Sequence, residues 1–210
     1  MRYFVLPILF RKLFPNVIFN FPNNKGEIYL TFDDGPNERT TAKVLKLLKE
    51  NNIKATFFLI GQCIVNNPEL TKQIIEEGHC VGGHSSTHKG FQSLDFSSKK
   101  EEILEGQRIL NTYLKERSCL YRPPRGILSL RQLLFCIGKG LTTVMWSQDS
   151  FDHMNKGKDF VLHRIKNMPL KGGDILLLHD ASEYTHEALP EIIQHIRARG
   201  LKFCTIRDAL

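Results

Sequence analysis

From residue 27 onward the chain alternates short apolar runs with stretches whose apolar residues recur at helical spacing, the pattern of parallel strands joined by crossover helices. It predicts an α/β domain. Candidate strands are 28–32, 55–60, 80–84, 119–122, 142–147, 174–179 and 202–206. Between them, 41–51 places Val44, Leu45, Leu47 and Leu48 on one helix face, and 68–77 opens with Asn67 as N-cap before a proline at the first helical position. Candidate helices 98–114, 130–138, 159–168 and 187–199 complete the series, with glycines at 138 and 200 as stop signals. Such an order gives about seven β/α units. No internal repeat, low-complexity tract or linker rich in Gly, Ser or Pro marks a second domain, so 27–210 reads as one unit preceded by an extension over 1–26.

Seven units fit a closed or partly open barrel or a doubly wound sheet, and periodicity leaves both open. Either architecture places its site beyond the carboxyl ends of the strands. That is where the ionisable residues gather: Asp33-Asp34-Gly35-Pro36 after the first strand, then His84, Arg122, the Asp149 to Asp152 region, and His179-Asp180.

Composition removes several other classes. With 41% hydrophobic residues in 210, the chain can bury one sizeable core, which argues against disorder. Its 29 Lys and Arg against 22 Asp and Glu give a net charge of +7, but the charge is scattered. No basic run carries interleaved aromatics, so a solvated basic surface is expected rather than a nucleic-acid groove. Five cysteines without a C-x-x-C pair suit neither a zinc knuckle nor a disulfide framework and read as thiols in a reducing compartment. At the start, MRYFVLPILFRKLFPNVIFNF is apolar and basic, but Arg11-Lys12 and prolines 7 and 15 interrupt it below the ~20 residues of a membrane span. No small-residue cleavage site follows. The expectation is an amphipathic segment packed over an open end of the fold, with peripheral membrane association as the alternative, in a cytoplasmic protein or one at the inner membrane face.

Each polar element has a structural reading when taken alone. Asp33-Asp34-Gly35-Pro36 suits a tight turn; Arg122 before Pro123-Pro124 suits a surface arginine at a stiff corner; Asp152 suits an exposed carboxylate; His179, ending ILLLH, suits a packed histidine. His84 and His88 have a four-residue spacing that can turn two imidazoles toward one cation, yet that spacing is common without one. Their series is more specific. Thr31-Phe32-Asp33-Asp34-Gly35-Pro36, His84-Ser85-Ser86-Thr87-His88, Arg122-Pro123-Pro124-Arg125-Gly126, Asp149-Ser150-Phe151-Asp152 and Leu177-Leu178-His179 resemble, in order, the motifs of the polysaccharide deacetylases. This is carbohydrate esterase family four, or the NodB homology domain, and the resemblance spans about residues 27 to 206.

The resemblance implies a distorted (β/α) barrel with a metal site at the strand ends. It implies Asp34, His84 and His88 as ligands of a divalent cation, zinc first, with cobalt, nickel, iron or manganese suited to the same donors. Asp33 then stands as general base and His179 as general acid, with Arg122 holding Asp33, Asp152 orienting His179, and the backbone N–H of Arg125 facing the oxyanion. Pro124, Arg125 and His153 are expected to line the substrate groove. Two of these depart from the family: Arg125 replaces a common Tyr and adds a cation, and His153 replaces a common Trp and shrinks an aromatic wall. The implied function is hydrolysis of N-acetyl groups on N-acetylhexosamine glycans. O-deacetylation of acetylated glycans and a catalytically silent glycan-binding or membrane-surface role are the alternatives; a phosphoesterase is disfavoured by the lack of a phosphate-cradling glycine loop.

Overall fold

The computed structural model describes residues 15–21, 24, 26–154 and 156–210. Most of the expected amphipathic extension, residues 1–14, lies outside the described residues. Nine strands are present among the described residues: β1 (Val17–Ile18), β2 (Glu27–Asp33), β3 (Thr56–Leu59), β4 (Cys80–Gly83), β5 (Leu120–Tyr121), β6 (Thr142–Val144), β7 (Gln148–Asp149), β8 (Ile175–His179) and β9 (Lys202–Cys204). Seven α-helices cover them: α1 (Thr41–Glu50), α2 (Gly61–Asn66), α3 (Pro68–Glu76), α4 (Phe96–Asn111), α5 (Leu130–Gly138), α6 (Lys158–Lys166) and α7 (Glu183–Ala198). The sheet runs β1-β6-β5-β4-β3-β2-β8-β7, with β9 beside the first half of β2, and every strand pair is parallel. Among the described residues no helix is long and apolar enough to cross a membrane.

The sheet curls into a distorted barrel because β6 and β7 are one stretch of chain. Residues 142–144 pair with β5 and 148–149 pair with β8, so the bend at Met145-Trp146-Ser147 carries the chain from one edge to the other. β1 pairs with β6 in this gap, and Asn20 bridges to Asp174 at the start of β8.

Strand alternation sorts the side chains. Ile28, Leu30, Phe32, Phe57, Leu59, Leu176 and Leu178 are fully buried and join Val44, Leu48, Val161 and Ile192 of the helices in the outer core. Each such burial contributes roughly 1.5–3 kcal/mol. Tyr29, Phe58, Val144 and Ile175 form a second cluster, against which Trp146 packs. The β2 residues of that second register are Tyr29, Thr31 and Asp33, so one strand face turns from apolar to ionic as it reaches its carboxyl end.

Three expectations need correction. The single strand 142–147 is two, β6 and β7, because its two halves hydrogen-bond to different neighbours. Asn67 holds the N-cap position of α3 but does not cap it; its amide instead donates to Pro36 O and Cys63 O, at 3.2 and 3.1 Å. The last helix begins at Glu183, a turn earlier than 187, and carries Pro190 inside it.

Candidate active site

The strand ends bring the predicted residues together. Asp33 closes β2 and is the register partner of His179, which closes β8. Asp34 follows in a left-handed conformation (φ 73°), and Ser85 (φ 67°) and His88 (φ 63°) share that conformation in the loop after β4. Such backbone costs on the order of 1–3 kcal/mol per residue and persists where its surroundings hold it. Here Ser85 Oγ accepts from His88 N–H at 3.0 Å, and Glu102 of α4 accepts from both the N–H and the hydroxyl of Thr87.

That loop aims two imidazoles at one carboxylate. His84 Nε2 lies 3.4 Å and His88 Nε2 3.7 Å from Asp34 Oδ1, a buried oxygen that accepts no hydrogen bond. His84 Nδ1 lies 2.8 Å from Arg122 O. A carbonyl only accepts, so Nδ1 carries the proton and the neutral ring presents its Nε2 lone pair to the Asp34 side. Three donor atoms thus lie within 4.8 Å of one another, and the unpartnered oxygen and the fixed tautomer both suit a bound cation. Burial pushes the Asp34 carboxyl up, but His84 and the other histidines outweigh it and hold the group well below the usual carboxylate range. Burial likewise opposes protonation of His84, yet Asp33 and Asp34 raise its pKa; burial and His84 lower that of His88.

Arg122 is no surface arginine: it is 0% exposed. Its guanidinium donates to Asp33 Oδ1 at 2.7 Å, Thr31 Oγ1 at 2.8 Å, Val144 O at 3.0 Å and Met145 O at 2.9 Å, and stacks 4.1 Å over the Phe58 ring. Asp33 is therefore held through one oxygen, while Oδ2 faces His84 Nε2 at 3.8 Å.

His179 is held in the same manner. Its Nδ1 meets Asp152 Oδ1 at 2.7 Å and its backbone N–H donates to Oδ2 at 2.7 Å. Burial opposes the imidazolium, but Asp152 outweighs it and raises His179 to about 9. Burial also disfavours ionised Asp152, and bonding to His179 lowers its pKa nonetheless. Thr185 of α7 and His153 N–H donate to the same carboxylate. Asp152, His153 and His179 are close enough to share an ion, but four donors already occupy the Asp152 oxygens, so this trio orients a histidine.

At the rim, Pro124 is buried and Arg125 exposed in a 3-10 turn, with Arg125 left-handed (φ 59°) and Pro124 O accepting from Gln92. Gly126 (φ 65°) seats against Trp146: an added β-carbon would lie 2.6 Å from its ring. His153 is exposed, its ring 5.1 Å from that of His179. Asp149 accepts from Phe151 N–H at 2.9 Å, and burial raises its carboxyl pKa.

Sequence reading alone missed the hydroxyls that buttress these groups, Thr31 on Arg122 and Thr185 on Asp152. It also gave no role to Asp180, a fully buried carboxyl that burial pushes up to about 7. The only local signal was their position near a strand or helix end.

Comparison with known proteins identifies relatives of the whole chain. Residues 21–135 match the family model described as polysaccharide deacetylase. The chain is 36% identical over 200 residues to a peptidoglycan-N-acetylglucosamine deacetylase of Bacillus cereus, covering 92% of each chain. It is 35% identical over 154 residues to a chitooligosaccharide deacetylase of Sinorhizobium fredii, covering 73% of this chain and 71% of the relative. A crystal structure of a peptidoglycan N-acetylglucosamine deacetylase in complex with 4-naphthalen-1-yl-N-oxidanyl-benzamide superposes with a TM-score of 0.87 at 29% identity, covering 96% of this chain and 95% of that one. By sequence and fold, the chain belongs to the polysaccharide deacetylase family.

Proposed function

We propose that this chain hydrolyses the N-acetyl group of N-acetylhexosamine units in a glycan, with Asp33 as base, His179 as acid, and a divalent cation, zinc first, held by Asp34, His84 and His88. One observation carries the reading. Asp33 and His179 are register partners, each locked by a buried partner through one atom, Arg122 on Oδ1 and Asp152 on Nδ1, so that Oδ2 and Nε2 are left for chemistry. The names of the relatives, which act on N-acetylglucosamine and chitooligosaccharide, favour an amide over an ester.

When bound, the cation supplies Lewis acidity toward a water and an amide carbonyl. Asp33 Oδ2 takes a proton from the water as its oxygen bonds to the carbonyl carbon, and Arg122 keeps the carboxylate in place. The backbone N–H of Arg125 donates to the oxyanion. His179 Nε2 then delivers its proton to the amide nitrogen as the C–N bond breaks, releasing acetate and a free amino sugar. Asp152 favours the imidazolium this step consumes. Pro124, Arg125 and His153 are the residues assigned to the substrate; Arg125 and His153 are exposed, Arg125 adding a cation and His153 a smaller ring in place of a larger aromatic wall.

The test is acetate release from N-acetylglucosamine oligomers and from O-acetylated sugars, comparing metal-loaded protein, chelated protein and Asp33→Asn. Metal-dependent release from the N-acetyl oligomers, lost in Asp33→Asn, is expected. Release from O-acetyl sugars alone, or full activity in Asp33→Asn, would overturn the reading.

A further inference from the structure

Asp180 is 0% exposed and takes no part in the steps above. A carboxyl in such a place is costly to bury, and it has one hydrogen-bond partner: Thr41 Oγ1 of α1 donates to Oδ2 at 2.5 Å, while Oδ1 has none. An apolar side chain would be the cheaper way to fill that volume, so core stability gives no reason for the carboxyl. Its surroundings do. Both carboxylate oxygens fill the place a β-carbon on Gly35 would take, lying 2.1 and 2.4 Å from that position. Gly35 follows Asp34, whose left-handed backbone needs outside support.

The turn is braced from two directions. From the β3 side, Ile60 N–H donates to Gly35 O at 3.0 Å and the Asn67 amide to Pro36 O at 3.2 Å. From the β8 side stands Asp180. Thr41 Oγ1 accepts from Asn37 N–H at 2.7 Å and donates its single proton to Asp180, so the carboxyl, the hydroxyl and the end of the turn form one chain. We infer that Asp180 is a positioning residue for the cation site: seated on Gly35 and tied to Thr41, it sets the Asp34 turn at the height where Oδ1 meets His84 and His88. This rests on the reading of Asp34, His84 and His88 as a cation site.

The experiment measures zinc affinity by competition with a chromophoric chelator and records the ligand-field spectrum of the cobalt form, for wild type, Asp34→Ala, Asp180→Ala, Asp180→Asn and Thr41→Val. Asp180→Ala is expected to bind zinc about 10- to 100-fold more weakly with an altered cobalt spectrum, while Asp180→Asn, which keeps the shape and an oxygen for Thr41, stays within about threefold of wild type. Thr41→Val is expected to weaken binding in the same direction. Wild-type affinity in Asp180→Ala, or equal loss in Asn and Ala, overturns the inference. Should Asp180→Ala not fold, Thr41→Val decides, and wild-type affinity there overturns it. If wild type binds no ion, or Asp34→Ala binds as tightly as wild type, the cation-site reading fails and takes this inference with it.

Discussion

Asp33 and His179 need opposite things from neighbouring strand ends. One must stay a carboxylate beside a cluster of donors, and the other must keep a proton in a buried place. Each is held by one buried, charged partner, Arg122 for Asp33 and Asp152 for His179. Asp33→Asn leaves Arg122 an oxygen to bond, so the turnover number should fall about 100- to 10,000-fold while zinc affinity holds, measured by acetate release beside chelator competition. Asp152→Asn tests the other side. In metal-free protein His179 should titrate near about 9 by NMR and drop toward the ordinary value of about 6.5 in the variant. The sign for stability follows. A histidine raised by folding adds stability that is fully present below about 6.5 and fades as pH climbs through about 9, so metal-free wild type should lose urea resistance across that window and Asp152→Asn should lose less.

Elements long enough to repeat a period were legible, and short ones were not. The face of α1 follows from Val44, Leu45, Leu47 and Leu48, of which the first, second and last are buried and Leu47 half-buried. A two-residue strand such as β1 and a six-residue helix such as α2 show no period to read. The site motifs were legible because each stands where an apolar run stops. Thr31, Thr41 and Thr185 were not, since a hydroxyl is useful only to whatever tertiary structure puts beside it. The last helix shows the same limit: expected from 187, α7 starts at Glu183 and so brings Thr185 onto Asp152. At the join of β6 and β7, the carbonyls of Val144 and Met145 accept from Arg122. Arg122→Met removes both of those bonds and leaves Asp33 buried without its countercharge, which should cost about 3–5 kcal/mol in urea unfolding.

At the scale of the whole molecule, the proposed cation site gathers strands β2 and β4 through Asp34, His84 and His88, so ligand binding there should stabilise the fold as a unit. Zinc at a hundredfold excess over its Kd adds about 2.7 kcal/mol, which for a chain of this size is a rise of ~5–10 °C in Tm, checked by thermal melts with and without chelator and absent in Asp34→Ala. Arg122 gives the architecture a different kind of consequence. The same guanidinium that holds Asp33, the proposed base, also takes up the carbonyls at the seam where the sheet changes neighbours, so the seam and the proposed chemistry share one side chain. A lineage built on this scaffold can abandon turnover by changing Asp33 or a metal ligand and still inherit an intact shell. Loss of the arginine would weaken the seam as well, by freeing the Val144 and Met145 carbonyls. Among descendants that no longer catalyse anything, the arginine should therefore outlast the residues it once served.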